Sequence, residues 1–390
     1  MLNLKYVAIT YRTVAVFVLA LAAPLALLAQ ATAEVLAPEA IARGAVEMVN
    51  RLELQESSAA MRDDPRWQRP RRIGLVSSRL ARFDPAMTAQ FKAIAGDIEV
   101  IVVEGPDDPA IATVDVVISS CEPATMRAAT SMRWMHVMGV GVDSCTLQPD
   151  IDQFDFIMTN GQRIAGPAIA EHAIAMMMML TRGLTYFHHN QIAHVWNPVL
   201  PDRRQLMDVD GRTMLVVGLG GIGTEIARRG AALGMRVIAT RNSSHDGPEY
   251  VEYVGLPDEL HTLAGQADVI INALPLTSDT RKLFDASFFA AAKRGAYFLS
   301  IGRGPSTDTD ALVAALQSGQ LAGAGLDVTD PEPLPPTHAL WAMDNVVLSP
   351  HTSANTARSL VWRNLVAYEN LRRYIQGDKL LSVVDLRAGY

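Results

Sequence analysis

Cysteine is almost absent: Cys121 and Cys145 are the only two in 390 residues. Two cysteines cannot make a disulfide framework, and neither lies in a CxxC or a His-rich metal spacing. Unpaired, partly buried thiols are therefore the expectation, with a single disulfide open to them if the protein is exported. Positive charge is not in excess either. The 34 Lys and Arg face 41 Asp and Glu, for a formal net charge of −7, which leaves no basic footprint for nucleic acid. Low-complexity tracts are missing, and no repeat is visible beyond two α/β halves. What remains, 49% hydrophobic and 19% charged residues, suits a globular protein with substantial cores. A chain of this length has room for two domains.

The N-terminus is unusual. Lys5 and Arg12 precede an uncharged stretch, Thr13 to Ala33, with AVFVLALAAPLALLA at its centre and Ala29-Gln30-Ala31 near its end. A basic start, an apolar middle and a small-x-small ending make a secretory signal peptide. Export to the periplasm with cleavage near Ala31 is the expectation. A retained membrane anchor or a start codon placed too far upstream are the alternatives. Pro24 interrupts the stretch, which is near the minimum of roughly 18 residues for a span. No twin arginine is present.

Residues 32–72 read as an extension or linker, with helical character from Pro38 to Leu54. From Ile73 the rhythm changes. Short β-branched runs (Ile73–Ser77, Ile98–Glu104, Val114–Ser119, Trp134–Met138) alternate with Ala-rich helical segments, the pattern of βαβ units and a parallel sheet. A second such series starts at Gly211, with strands at Thr213–Gly218, Met235–Thr240, Asp268–Ala273, Ala296–Ile301 and Val346–Ser349. Gly166 to His188 reads as a helix long enough to bridge the two series, and Asn355 to Ile375 as a final helix. The expected class is α/β. Two Rossmann-type doubly wound parallel-sheet domains would enclose an active site in the cleft between them. Residues 73–165 would form the first part of a substrate domain and 166–352 an NAD(P)-binding domain. Residues 353–390 would return to the substrate domain.

Gly218-Leu-Gly220-Gly221-Ile222-Gly223 is a GxGxxG that follows a hydrophobic strand and opens a helix. Glycines permit a tight turn and close backbone approach, and the helix N-terminus receives a pyrophosphate. An NAD site usually carries a carboxylate at the end of the next strand, to bind the ribose 2′-OH. Here that position reads Thr240-Arg241-Asn242-Ser243-Ser244, without a carboxylate until Asp246. Arg241, flanked by small polar donors, suits a 2′-phosphate, so NADP is expected. If Arg241 is only a solvated strand end, NAD would bind instead.

Farther on come SIGRGP (Ser300–Pro305), GAGLDVTDPEPLP (Gly323–Pro335) and SPHTSANT (Ser349–Thr356). In this order behind GLGGIG, these blocks resemble the signature of the D-2-hydroxyacid dehydrogenases. Met138-Gly-Val-Gly-Val-Asp143 resembles that family's substrate loop, and Ala170-Glu-His-Ala-Ile-Ala175 the start of its interdomain helix. The likeness runs from about Ile73 to Asp378. It implies hydride transfer between NADP(H), or NAD(H), and a small 2-oxo or 2-hydroxy acid, of the glyoxylate or hydroxypyruvate kind. It also implies a homodimer and a catalytic Arg, Glu and His falling on Arg303, Glu332 and His351.

The residue types fit this chemistry. A guanidinium can bind the substrate carboxylate and polarise its carbonyl, and a protonated His can supply the proton that the developing oxyanion needs. Glu332 would orient that imidazole and favour its protonated form. Backbone N–H groups of Gly139, Val140 and Gly141 would meet the substrate carboxylate. Asp327, at the end of its strand, matches a family position near the nicotinamide carboxamide, and Ile301 would line the cofactor. A formate-type relative is disfavoured because that branch carries Gln where Glu332 stands. A rival from another class is a dinucleotide-sensing protein without turnover.

The chain departs from the family in three ways. Pro305-Ser-Thr-Asp-Thr-Asp310 replaces a Val-Asp-Glu-like helix start, Ser300 replaces a common Asn, and the signal peptide is foreign to enzymes that are usually cytosolic. His188, His189 and His194 lack partners at metal spacing, so no metal is expected. The run Met176 to Met179 reads as packing, and His172 as structural. Trp196 and His338-Ala-Leu-Trp341 could shape the active-site rim.

Overall fold

The computed structural model describes residues 37–78, 81–200 and 206–390; the expected leader, residues 1–31, lies outside them. Five strands form the first sheet: β1 (Arg72–Val76), β2 (Glu99–Val103), β3 (Val116–Ser119), β4 (Trp134–Val137) and β5 (Ile157–Asn160). All pair in parallel, in the order β2-β1-β3-β4-β5. The second sheet contains β6 (Thr213–Val217), β7 (Arg236–Thr240), β8 (Tyr253–Gly255), β9 (Val269–Asn272), β10 (Ala296–Ser300), β11 (Leu321–Leu326) and β12 (Val346–Leu348). Its parallel order is β12-β11-β10-β9-β6-β7-β8. Inner strands such as β3, β6 and β9 are buried along their whole length. Helices cover both faces of such sheets, so their strands read as continuous apolar runs. The α/β class with two parallel sheets is as expected.

Some elements differ from the sequence reading. β5 and β8 carried too little pattern to stand out, since one ends in Thr159-Asn160 and the other has three residues. The bridging helix is two helices, Gly166–Thr181 and Leu184–Ile192, parted at Gly183. Gly183 adopts φ 61°, and a Cβ there would sit 2.9 Å from Leu200. Residues 38–52 are not a peripheral linker. They form a helix that buries Ile41, Ala45, Met48 and Leu52, packed on the last helix, Ala357–Gln376. Met176 and Met177 are buried, as packing residues should be.

Cys121 and Cys145 are joined as a disulfide, with S–S 2.14 Å and Cα–Cα 5.7 Å. The expectation of unpaired thiols is corrected on this point. The end of β3 and the turn after the substrate loop meet in space, although 24 residues separate them in sequence.

A buried histidine in β4 makes the fold sensitive to acid. The ring of His136 is fully buried, and its Nδ1 lies 2.8 Å from Thr159 Oγ1. Trp134 Nε1 donates to the same hydroxyl at 3.0 Å, so the hydroxyl proton is free to go to Nδ1. Burial pushes the His136 pKa down from 6.5 to about 3. The unfolded chain thus takes up a proton below pH 6.5 that the folded chain refuses until about pH 3. Stability is therefore complete above that upper value and falls as pH drops through the window, by about 1.4 kcal/mol per pH unit. Denaturant melts at neutral pH and at roughly one unit below the upper pKa should show this slope. His136→Phe should flatten it; an equal slope in the variant would assign the acid sensitivity elsewhere.

Candidate active site

The second sheet delivers the glycine-rich turn at the C-terminal end of β6, where β6 gives way to the helix Gly221–Ala232. Each glycine answers a local demand. Gly218 has φ 97°, outside the range most side chains adopt. A Cβ on Gly223 would stand 2.0 Å from Gly218 O, so the third glycine lets helix and strand touch. Gly221 faces Arg163, whose Cγ would lie 2.6 Å from a Cβ there. Gly220 faces open space, the place a pyrophosphate would approach. Among the described residues the amides of Gly221, Ile222 and Gly223 have no backbone acceptor, as at any helix start. These residues fit a dinucleotide.

Arg241 follows β7 and reaches back to this turn. Its Nη1 donates to Asp246 O at 3.0 Å and its Nη2 to Leu219 O at 3.2 Å, with no carboxylate paired to it among the described residues. Two carbonyls thus hold a cation beside the glycine loop. Asn242 and Ser243 are exposed next to it.

Arg303 leaves β10 and crosses to the other domain. Its Nε donates to Asp143 Oδ1 at 2.9 Å and its Nη1 to Gly302 O at 2.9 Å. Nη2 lies where a Cβ on Gly141 would be, 1.7 Å away, so glycine is what lets the guanidinium rest on the loop. Gly139 is exposed, and Val140 and Gly141 are half-buried. Among the described residues their three amides donate to no protein acceptor. Asn160 Nδ2 holds the loop from behind by donating to Val140 O at 2.7 Å. A free guanidinium edge and unspent amides converge here, a surface suited to a carboxylate.

The backbone of Arg303 is braced by polar residues that the sequence reading had treated as departures. Ser306 Oγ donates to Arg303 O at 2.6 Å. Asn272, fully buried at the end of β9, donates to Ser306 Oγ at 2.8 Å and Ser300 Oγ at 3.1 Å. The brace is an amide from the neighbouring strand, so Ser300 need not be one.

His351 Nδ1 is 2.8 Å from Glu332 Oε1, and both side chains are nearly half exposed. A carboxylate accepts, so Nδ1 carries the hydrogen and Nε2 is left to exchange a proton. His351 has φ 53°, an uncommon conformation for a residue with a side chain. Its N–H donates to Asp327 O at 2.8 Å and to Ser349 O at 3.0 Å. Asp327 itself is buried, its side chain turned to the loop around His351. It accepts from Ser349 Oγ at 2.6 Å, Thr352 N at 2.9 Å and Ser353 N at 3.1 Å. Burial pushes its carboxyl up, but the hydrogen bonds from Ser349, Ser353 and the Thr352 amide outweigh burial and hold it below its ordinary value. Ile301 is buried behind this rim.

Two participants were missed in the sequence, Asp143 and Asn272. Asp143 sits inside the Gly-Val-Gly-Val-Asp run that marked the substrate loop, but its partner is 160 residues away. Nothing local to Asn272 marks it.

Residues 174–353 match the family described as D-isomer specific 2-hydroxyacid dehydrogenase, NAD binding domain. The glyoxylate reductase of Aeropyrum pernix is 32% identical over 270 residues, 67% of this chain and 78% of that protein. This chain belongs to the D-isomer specific 2-hydroxyacid dehydrogenase family. It is an NAD(P)-dependent oxidoreductase that acts on CH–OH donors. Two solved structures extend the likeness to nearly the whole fold. A D-isomer specific 2-hydroxyacid dehydrogenase from Xanthobacter autotrophicus, in complex with NADPH and MES, superposes with TM-score 0.70 at 27% identity. That alignment covers 83% of this chain and 100% of the other. An NADPH-dependent glyoxylate/hydroxypyruvate reductase from Sinorhizobium meliloti, with NADP and sulfate, gives TM-score 0.67 at 27% identity, over 82% and 100% of the two chains.

Proposed function

We propose that this dehydrogenase reduces a small 2-oxo acid, glyoxylate or hydroxypyruvate, with NADPH, using Arg303, Glu332 and His351. The observation that carries this reading is the Arg303 guanidinium resting on the Gly139–Gly141 loop, whose amides have no protein acceptor among the described residues; the paired His351 and Glu332 supply the proton donor that such a site needs. The glycine turn, the helix start behind it and Arg241 would hold the dinucleotide, whose nicotinamide supplies the hydride.

The chain's own groups do the rest. The amides of Val140 and Gly141 and the Arg303 fork bind the substrate carboxylate, while Arg303 also polarises the carbonyl. Protonated His351 gives the Nε2 proton to the oxygen on which negative charge develops. Glu332 keeps Nδ1–H directed at itself and so keeps Nε2 facing substrate. In the oxidative direction the neutral imidazole takes that proton back. Purified protein supplied with NADPH and a panel of 2-oxo acids should oxidise the dinucleotide. Tight dinucleotide binding with no turnover on any 2-oxo acid would favour the sensor reading.

Two further features belong to this proposal. The helix Leu184–Ile192 and the chain after it expose Leu184, Ile192, Val195, Val199 and a fully exposed Trp196. So many exposed apolar side chains close together in sequence suit an interface, and a second copy of the chain is the occupant we assign to them. The protein is exported: the leader pattern and the paired Cys121 and Cys145 both suit an oxidising compartment. Mass spectrometry of the native N-terminus should find a start near Ala31; a cytosolic protein starting at Met48 or Met61 would overturn the export assignment.

A further inference from the structure

One chain of side chains links the interdomain helix to the loop that carries His351, and the mechanism above makes no use of it. His172 lies in the helix Gly166–Thr181, with its side chain 30% exposed. Its Nε2 is 2.8 Å from Ser349 Oγ, and Ser349 Oγ is 2.6 Å from Asp327 Oδ1. The directions of these bonds follow from chemistry. An ionised Asp327 can only accept, so the Ser349 hydroxyl donates to it. Ser349 then has lone pairs left for His172, which must donate through Nε2–H. Asp327 passes the restraint on to the backbone of Thr352 and Ser353, directly after His351, and its carbonyl takes the His351 amide.

The restraint has something to hold. His351 adopts φ 53°, a conformation that is unfavourable for a residue with a side chain and persists only where neighbours impose it. The imposing groups are Asp327 and Ser349, and among the described residues the one further side chain hydrogen-bonded to them is His172.

We propose that His172 is a positioning residue for the proton transfer. It fixes the Ser349 hydroxyl against Asp327 and thereby sets where His351 stands relative to the cleft, tying the interdomain helix to the proton donor. The inference rests on the reading of His351 as that donor. Among the described residues His172 makes no hydrogen bond to the glycine turn or the Gly139–Gly141 loop, so its removal should act on kcat and not on binding.

Steady-state kinetics on the full enzyme with NADPH and hydroxypyruvate test this, together with dinucleotide binding followed by fluorescence. His172→Ala should lower kcat roughly 10- to 100-fold, as misplacement of a catalytic group does. Both KM values and the NADPH Kd should stay within about threefold of the parent, a split that pure loss of binding does not give. His172→Gln, whose amide can still donate to Ser349, should recover most of the rate. Ser349→Ala combined with His172→Ala should be no worse than the more damaging single change, because both cut the same chain. His351→Ala serves as the reference. If it is fully active, the reading of the site has failed, and this inference with it. If it is inactive while His172→Ala behaves as the parent, the site reading stands and this inference is overturned. Equal loss in the Ala and Gln variants, tracking a lowered Tm, overturns it as well, since that is what a merely structural histidine would do.

Discussion

His351→Ala is expected to lower kcat for 2-oxo acid reduction by at least about 100-fold, the lower end for loss of a positioned proton donor. The size follows from what the side chain alone supplies. Among the described residues no other imidazole pairs with Glu332, and with Nδ1 engaged the Nε2 of His351 is left to exchange a proton. Arg303 and the loop amides remain in the variant, so binding of the 2-oxo acid should change much less than kcat. Glu332→Gln keeps an acceptor for Nδ1–H but exchanges a charge-assisted hydrogen bond for a neutral one. Its loss should fall between wild type and His351→Ala. A His351→Ala enzyme within about threefold of wild type would remove the residue from the chemistry.

Arg241→Asp should reverse the choice of dinucleotide. In the parent, the guanidinium is pinned by two carbonyls, Leu219 O and Asp246 O, and it has N–H groups to spare. A charge-assisted contact to a 2′-phosphate is worth roughly 1.5–3 kcal/mol. At 1.4 kcal/mol per decade, that predicts about a 10- to 100-fold preference for NADPH in kcat/KM. The aspartate both removes this pairing and repels the phosphate, while it offers an acceptor to the ribose hydroxyls of NADH. NADPH efficiency should therefore fall steeply, with NADH unchanged or improved. Equal efficiency with both dinucleotides in wild type, unaltered by the substitution, would show that Arg241 only caps its strand end and that exposed Asn242 or Ser243 sets what selectivity there is.

What could be read from the sequence was what repeats along it or stands in one short run. Alternating strands and helices announced two parallel sheets because inner strands must be apolar on both faces. The glycine turn announced itself because each glycine meets a steric need within a few residues, as Gly218 and Gly223 do. Arg303, Glu332 and His351 were legible only through resemblance, since no local pattern singles out one residue from each of three separate loops. What escaped the reading depends on contacts across the fold. Asp143 reaches Arg303 from the other domain, and Asn272 braces it from a neighbouring strand. The helix Pro38–Leu52 seemed peripheral because its partner, Ala357–Gln376, lies at the opposite end of the chain. Pairing of Cys121 with Cys145 belongs to the same class, as does the break at Gly183, whose need for glycine is set partly by Leu200.

The central claim is that this cleft reduces a 2-oxo acid to a 2-hydroxy acid of one hand. Chiral analysis of the product from hydroxypyruvate and NADPH tests it most directly, because it reports turnover and stereochemistry together. If Arg303 and the loop amides take the carboxylate and His351 protonates the carbonyl oxygen, as proposed, the substrate has one orientation and one face is left for hydride. D-glycerate should accumulate in step with NADPH oxidation; L-glycerate, a racemate, or NADPH bound without turnover would overturn the proposed reduction.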